Sequence, residues 1–428
     1  MRLPGGSIDE PIVRGPTVKY ALRLSALLAA LSMQTMMAQP RLASTAEASL
    51  DAYLRTAVEQ TYIPGLAALV TSADGILYSA AIGQQDVARN RPMSADAIFR
   101  IASMTKPITS VAVMMLIEAG LVGLEDPIAA HLPGVVPTEV FASFDFASRQ
   151  FTSRSAATAV TVRHLLTNTS GLGYPFANEI LFALIGTDLP SPTVTSFPLL
   201  HDPGTRWTYG ESTRVLGTLV SELAGQPMEQ FYAERIFAPL GMTDTGWSVP
   251  AEKLDRVVTA HTKSADALVE VPNPLTGTLG GGPRGDGGLY STAADYAKFL
   301  QMLLNGGNAP NGPRLLSEAS VALMGQNHIG NLHVTLQPAA NPARTRPFPL
   351  GAGRDVFGLG FQITGSHDDR ELRSPGSMSW AGINNTQFWI DPARGIAAVL
   401  LMQYLPFYDA TALAVLDGFE RRVNRNLE

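Results

Sequence analysis

The spacing of apolar positions changes several times along the chain, and each change marks an element. Over residues 46–59 apolar residues recur every three to four positions with polar ones between, which predicts an amphipathic helix. Residues 65–83 instead alternate apolar and small residues around Asp74-Gly75, the pattern of an antiparallel strand pair. Residues 103–119 are apolar-rich, and Gly120 stands where glycine ends a helix, so a buried helix with Ser103 at its start is predicted. From 133 to 203 the chain is irregular and rich in Pro, Gly, Ser and Thr, with short helices predicted at 162–166 and 178–185. Helical periodicity returns at 215–224, 228–237 and 293–304. Strands are predicted at 386–390 and 396–402 around Asp391-Pro392, and a helix at 410–424. Segments 141–159 and 331–354 read as long loops that shape a pocket.

Strands at both ends and helices in the middle predict an α+β fold. Residues 45–125 and 285–428 would build an antiparallel sheet flanked by helices, residues 126–284 a mostly helical inserted domain, and the active site would lie between them. Residues 1–38 read differently. Arg14, Lys19 and Arg23 precede an apolar run, Leu24 to Leu31, that continues weakly to Ala38, the form of a secretory signal peptide. A working signal would place the mature chain in the periplasm or outside the cell; the alternative reading of residues 1–38 is a disordered or helical extension of a cytoplasmic chain. The run is too short to span a bilayer, and no integral membrane segment is expected in the mature chain.

Composition narrows the chemistry. Lys and Arg total 31 against 37 Asp and Glu, a net charge of -6, so nucleic acid is not an expected partner. There is no cysteine, which removes thiolate nucleophiles and cysteine-ligated metals. The seven histidines are scattered without metal-binding spacing, no G-x-S-x-G elbow occurs, and neither metal nor cofactor is expected. The glycine-rich stretch 280–288 lacks phosphate-loop spacing and reads as structural.

One tetrapeptide stands out. Ser103-Met104-Thr105-Lys106 puts a hydroxyl and an amine one helical turn apart on one face, about 5–6 Å at Cβ. A lysine can deprotonate a serine only if burial or another cation keeps part of it neutral. Only Lys19, Lys106, Lys253, Lys263 and Lys298 occur in the whole chain, so a lysine inside an apolar helix is conspicuous. By itself the pair also fits a surface lysine beside an N-capping serine.

Longer segments resolve this. Phe99-Arg-Ile-Ala-Ser103-Met-Thr-Lys106 resembles the active-serine segment of the serine β-lactamase and penicillin-binding protein superfamily. Thr161-Val-Arg-His-Leu-Leu-Thr-Asn-Thr-Ser-Gly-Leu172, Asp202-Pro-Gly-Thr-Arg-Trp-Thr-Tyr209, Pro239-Leu-Gly-Met-Thr-Asp-Thr245, Gly287-Gly-Leu-Tyr-Ser-Thr-Ala-Ala-Asp-Tyr296 and Trp380-Ala-Gly382 follow in the order of the class C β-lactamase branch. The pattern is most similar to its esterases, the family VIII carboxylesterases, and runs from about residue 63 to about 403.

The resemblance implies a β-lactamase-like fold and an acyl-enzyme on Ser103, with Lys106 and Tyr209 in proton transfer. It implies Tyr209 as the base, its phenol acidified by Lys106, and the backbone N–H groups of Ser103 and Ile383 as the oxyanion hole. His164 belongs to one shared segment, with a structural role at a helix start. Two departures bear on substrate. Where β-lactamases carry Asn, this chain has Glu211, which either faces the site and supports protonated Lys106 or faces solvent at a helix start; Ser212 is a candidate for the lost hydrogen bond. Where they carry K-T-G, this chain has Trp380-Ala381-Gly382, so the cation that holds a substrate carboxylate is replaced by an apolar wall. Trp380, Gly382, Glu211 and Ser212 are thus the expected substrate-binding residues, with Arg373 a candidate replacement cation. The expected partner is a small-molecule ester with a short acyl chain. The rival readings are a β-lactamase or D-alanyl-D-alanine peptidase on the same site, and a weakly catalytic penicillin-recognising binding protein.

Overall fold

The computed structural model describes residues 1, 39–184, 196–264, 267–271, 283–310 and 312–428. The chain divides into two units, Met1–Gln39 and Pro40–Glu428. The basic residues and apolar run read as a leader lie outside the described residues.

Helix α1 (Ala46–Glu59) buries Ala46, Leu50 and Leu54, a four-residue stripe that lets it lie on a sheet. Strands β1 (Gly65–Ser72) and β2 (Ile76–Asp86) pair around the expected turn, and β3 (Arg91–Pro92) adds at the edge, where proline is tolerated. Strands β4 (Val356–Phe357), β5 (Gln362–Ile363), β6 (Met378–Gly382), β7 (Thr386–Asp391) and β8 (Ile396–Leu401) complete the sheet. Its order is β4-β5-β6-β7-β8-β1-β2-β3, and every neighbouring pair is antiparallel. The two ends of the unit therefore meet in mid-sheet, with Ala68 of β1 opposite Leu400 of β8.

Both faces of these central strands are covered, so every residue of both is buried, and only Thr71 and Ser72 at the end of β1 are polar. Leu66, Ala68, Val70, Ala398 and Leu400 form one cluster with α1 and with Val415 and Phe419 of the last helix (Ala410–Arg425). Ala67, Leu69, Ala397 and Val399 join the larger core on the other face. That core contains helix α2 (Thr105–Glu118), in which every residue from Thr105 to Leu116 is buried. It also holds the apolar stripes of α3 (Ser212–Ala224) and α4 (Ala293–Leu304).

Three expectations are corrected. The helix read from residue 103 begins at Thr105, because Ala102–Met104 is a 3₁₀ turn and Ala102 adopts φ +46°. Left-handed backbone is costly for alanine, so this turn is strained immediately before Ser103. Segment 141–159 is not simply a loop: Glu139–Phe144 and Phe151–Ser155 pair as a hairpin, with Phe141 and Phe151 edge to face at 5.1 Å. The helix read over 228–237 is regular only over Met228–Tyr232 and passes into a π turn, Ala233–Phe237.

The glycine-rich stretch read as structural is described from residue 283 onward, and that part does position chemistry. A Cβ on Gly285 would lie 2.5 Å from the Thr213 carbonyl oxygen and 2.7 Å from the Gly217 Cα, so loop and α3 touch backbone to backbone. Thr109 of α2 also donates to the Gly285 carbonyl at 2.7 Å. Gly285→Ala is expected to cost about 1–3 kcal/mol by overpacking. Thermal unfolding checks this: the variant should melt several degrees lower, and an unchanged Tm would contradict the close contact.

Candidate active site

The strained turn sets Ser103 at the head of α2, and one helical turn later Lys106 points back to it. Lys106 Nζ donates to Ser103 Oγ at 3.1 Å, to the Tyr174 hydroxyl at 3.1 Å and to the Asp286 carbonyl oxygen at 2.6 Å. Tyr209, just ahead of α3, donates its hydroxyl to Ser103 Oγ at 2.7 Å. Tyr209, 106 residues further along the chain, thus meets the Ser103–Lys106 pair at one oxygen. Tyr174 in turn donates to Asp286 Oδ2.

These contacts direct the protons. An ammonium can donate to all three neighbours of Lys106, whereas a neutral amine donates to two and must accept from the third. The proton of Tyr174 is committed to Asp286 and the carbonyl has none, so the Ser103 hydroxyl is the group able to donate to a neutral Lys106. The chain of donors then runs from Tyr209 through Ser103 to Lys106.

Electrostatics favour that neutral lysine. Burial pushes Lys106 down to about 7, with Asp286 pulling it up and Arg284 and Arg214 pushing it further down. Burial raises Tyr209 above the usual tyrosine value, so its phenol stays protonated at neutral pH. This corrects the expectation that Lys106 acidifies it in the resting site: Lys106 Nζ lies 4.9 Å over the Tyr209 ring, but a neutral lysine supplies no charge to offset burial. Burial would raise Asp286 as well, but Lys106, Arg214 and Arg284 outweigh it and hold the carboxyl below its ordinary value.

Trp380, an expected substrate contact, and Ile383, an expected oxyanion-hole residue, line the same cavity as Ser103 and Tyr209, a space of about 1200 Å³. The indole of Trp380 packs edge-on against Tyr209, ring centroids 5.1 Å apart. Glu211 also lines the cavity and is buried, yet its partner is Arg214 at 2.7 Å; the acid beside Lys106 is Asp286. Burial lifts Glu211 to about 7 against the pull of Arg214. Ser212 is turned away, its hydroxyl 2.8 Å from that of Ser170. Gly382 is a packing residue and does not line the cavity, since a Cβ there would lie 2.3 Å from the Ile101 carbonyl oxygen and from Thr386 Oγ1. Arg373 is spent on Glu420, at 2.5 and 2.9 Å, and stacks on Trp389. His164 closes a capping box with Thr161, the helix-start role read for it.

Tyr174 and Asp286 went unnoticed in the sequence. Tyr174 falls two residues beyond the shared segment that ends at Leu172, and Asp286 one residue before the segment that starts at Gly287. An aspartate between arginine and glycines was the available signal. Among the described residues no helix is long and apolar enough to cross a membrane, and no three His, Asp or Glu side chains are grouped as metal ligands.

The family described as Beta-lactamase matches residues 50–417. The chain belongs to that family. Monacolin J acid methylbutanoyltransferase of Aspergillus terreus is 29% identical over 399 residues, covering 87% of this chain and 94% of the relative. Esterase EstB of Burkholderia gladioli is 29% identical over 392 residues, covering 84% and 91%. Among solved structures, the LovD6 mutant of simvastatin synthase from Aspergillus terreus superposes with a TM-score of 0.76 at 28% identity, over 89% of this chain and 95% of that one. The fold is thus β-lactamase-like, as the family's motifs implied.

Titration of the lysine Nζ resonances by ¹⁵N NMR should find one lysine, Lys106, titrating near 7, and should find it lower in Asp286→Asn, which removes the charge that favours the ammonium. A Lys106 value near the ordinary lysine figure of about 10.4 would contradict the burial argument.

Proposed function

We propose that this enzyme is a serine carboxylesterase of the family VIII type, acting on short-chain acyl esters through an acyl-enzyme on Ser103. The observation that carries the reading is Ser103 Oγ held between Lys106 Nζ and the Tyr209 hydroxyl. In acylation neutral Lys106 takes the Ser103 proton, Oγ adds to the ester carbonyl, and the backbone N–H groups of Ser103 and Ile383 receive the oxyanion. Collapse expels the alkoxide, which takes the proton of Tyr209. The resulting phenolate lies beside the Lys106 ammonium, and the pair stabilise each other.

Deacylation runs the protons back. The phenolate takes a proton from water, the hydroxide adds to the acyl carbonyl, and Ser103 Oγ leaves with the proton of Lys106. Every group ends as it began. The lysine that would hold a β-lactam carboxylate is replaced by Trp380, and Arg373 is committed to Glu420, so this part of the wall offers no cation to a penicillin carboxylate.

A second reading, transfer of the acyl group to another alcohol, is favoured by the cavity. Its volume of about 1200 Å³ exceeds the roughly 300–1,000 Å³ usual for drug-sized ligands, so a bulky acceptor fits in place of water. The relatives named as an esterase and as a methylbutanoyltransferase support both outcomes of one acyl-enzyme.

p-Nitrophenyl butyrate should be cleaved rapidly and a chromogenic cephalosporin slowly. Ser103→Ala should abolish ester turnover, and Lys106→Ala and Tyr209→Phe should each cost about 10²–10⁴-fold. The reverse substrate preference would overturn the esterase reading. Because the base must be neutral, kcat/KM should rise with pH through about 7 and level off above it; a profile flat from pH 5 to pH 9 would remove Lys106 from the base role.

A further inference from the structure

The cavity wall carries several arginines, and nearly all of their charge is spoken for. Arg214 pairs with Glu211 and Asp286, Arg284 with Asp286, Arg354 with Asp355 and Arg373 with Glu420. Arg344 lies exposed, where water solvates its charge. Arg100 is different. It lines the cavity three residues before Ser103, its Nε and Nη2 are buried without a hydrogen-bond partner, and among the described residues no carboxylate lies within ion-pair distance of it.

Its backbone, by contrast, is firmly held. The Arg100 N–H donates to Gln403 Oε1 at 2.7 Å, its carbonyl receives Asn384 Nδ2 at 3.4 Å, and the residue pairs with Tyr290 in a short antiparallel ladder. Gln403 also accepts the backbone N–H of His261 at 3.0 Å, so one residue fixes the strands that bear Arg100 and His261. His261 lines the same cavity, is buried, and its Nδ1 has no partner either. Tyr290 and Asn384 complete this side of the wall, opposite in character to the aromatic side formed by Phe176, Phe348 and Trp380.

Two buried guanidinium nitrogens, Nε and Nη2, without an acceptor are expensive even though the residue is only partly buried, and a held backbone leaves them little room to move. An anion arriving from the cavity would supply acceptors for both. A single planar fork of donors matches a carboxylate, which takes two parallel hydrogen bonds, better than it matches a phosphate dianion.

We propose that Arg100 is the anchor of an anion subsite, and that the natural ester carries a carboxylate. This deepens the esterase reading and rests on it. It also moves the anion away from the position that Trp380 has vacated: the carboxylate would be held beside the Arg100 strand, on the side of the Ile383-Asn384 turn.

The test compares isosteric pairs of esters. Mono-p-nitrophenyl succinate against p-nitrophenyl butyrate places the carboxylate on the acyl side, and 4-butyryloxybenzoate against phenyl butyrate places it on the alcohol side. The quantity read is the ratio of kcat/KM, anionic over neutral, in wild type, Arg100→Gln and Arg100→Lys, with circular dichroism to check the fold. For one of the pairs the wild-type ratio should exceed one, fall about 10–100-fold in Arg100→Gln, mainly through KM, and recover in part in Arg100→Lys. Ratios that Arg100→Gln leaves unchanged in both pairs overturn the anion subsite while neutral-ester turnover leaves the esterase reading standing. If Arg100→Gln fails to fold, the comparison of wild type with Arg100→Lys decides, since wild-type ratios at or below one in both pairs overturn the subsite. Failure of wild type to cleave any of the four esters overturns both.

Discussion

Everything at this site depends on a lysine kept out of water. Lys106 sits in a fully buried helix, and its three hydrogen-bond positions are filled by Ser103, Tyr174 and the Asp286 carbonyl. Around it stand two arginines, Arg214 and Arg284, and two carboxylates, Asp286 and Glu211. Burial strips Lys106 of the water that would solvate its charge, and Arg284 and Arg214 disfavour a proton there while Asp286 and Glu211 oppose them only in part. The amine gives up its proton near neutrality for that reason, and the proton it can take back is that of Ser103. The same burial keeps Tyr209 protonated and makes it a donor.

The scaffold serves this constraint. An antiparallel sheet built from both ends of the unit provides two covered faces, and α2 is sunk in the core of one of them. Its head carries the strained turn at Ala102 that presents Ser103. The loop bearing Asp286 is pinned to α3 through Gly285 and Gly217 and to α2 through Thr109, so the acid that tunes Lys106 cannot drift from it. Trp380, in the middle of β6, closes the wall against Tyr209.

Much of this was legible in the chain. The period-two and period-four patterns gave the central strands and main helices to within a few residues, because long buried elements repeat their burial pattern. The serine, lysine and tyrosine could be read from their local segments. What could not be read were contacts made across the fold. Tyr174 and Asp286 matter only because a loop from residue 283 onward passes beneath Lys106. Ser212 and Gly382 sit in the right segments yet face away or pack against backbone, since neighbours in sequence point in different directions. The acidity of Tyr209 was misjudged because desolvation depends on what surrounds the ring, and sequence supplied only the nearby cation.

The claim that Ser103 is the acylated nucleophile is tested most directly by mass spectrometry of the intact protein, quenched in acid within the first turnovers on p-nitrophenyl butyrate and then mapped by peptide. One butyryl group on the peptide holding Ser103, absent from the Ser103→Ala protein, is the predicted result. A butyryl group on another residue, or p-nitrophenol release in which the Ser103→Ala protein matches wild type, would contradict it.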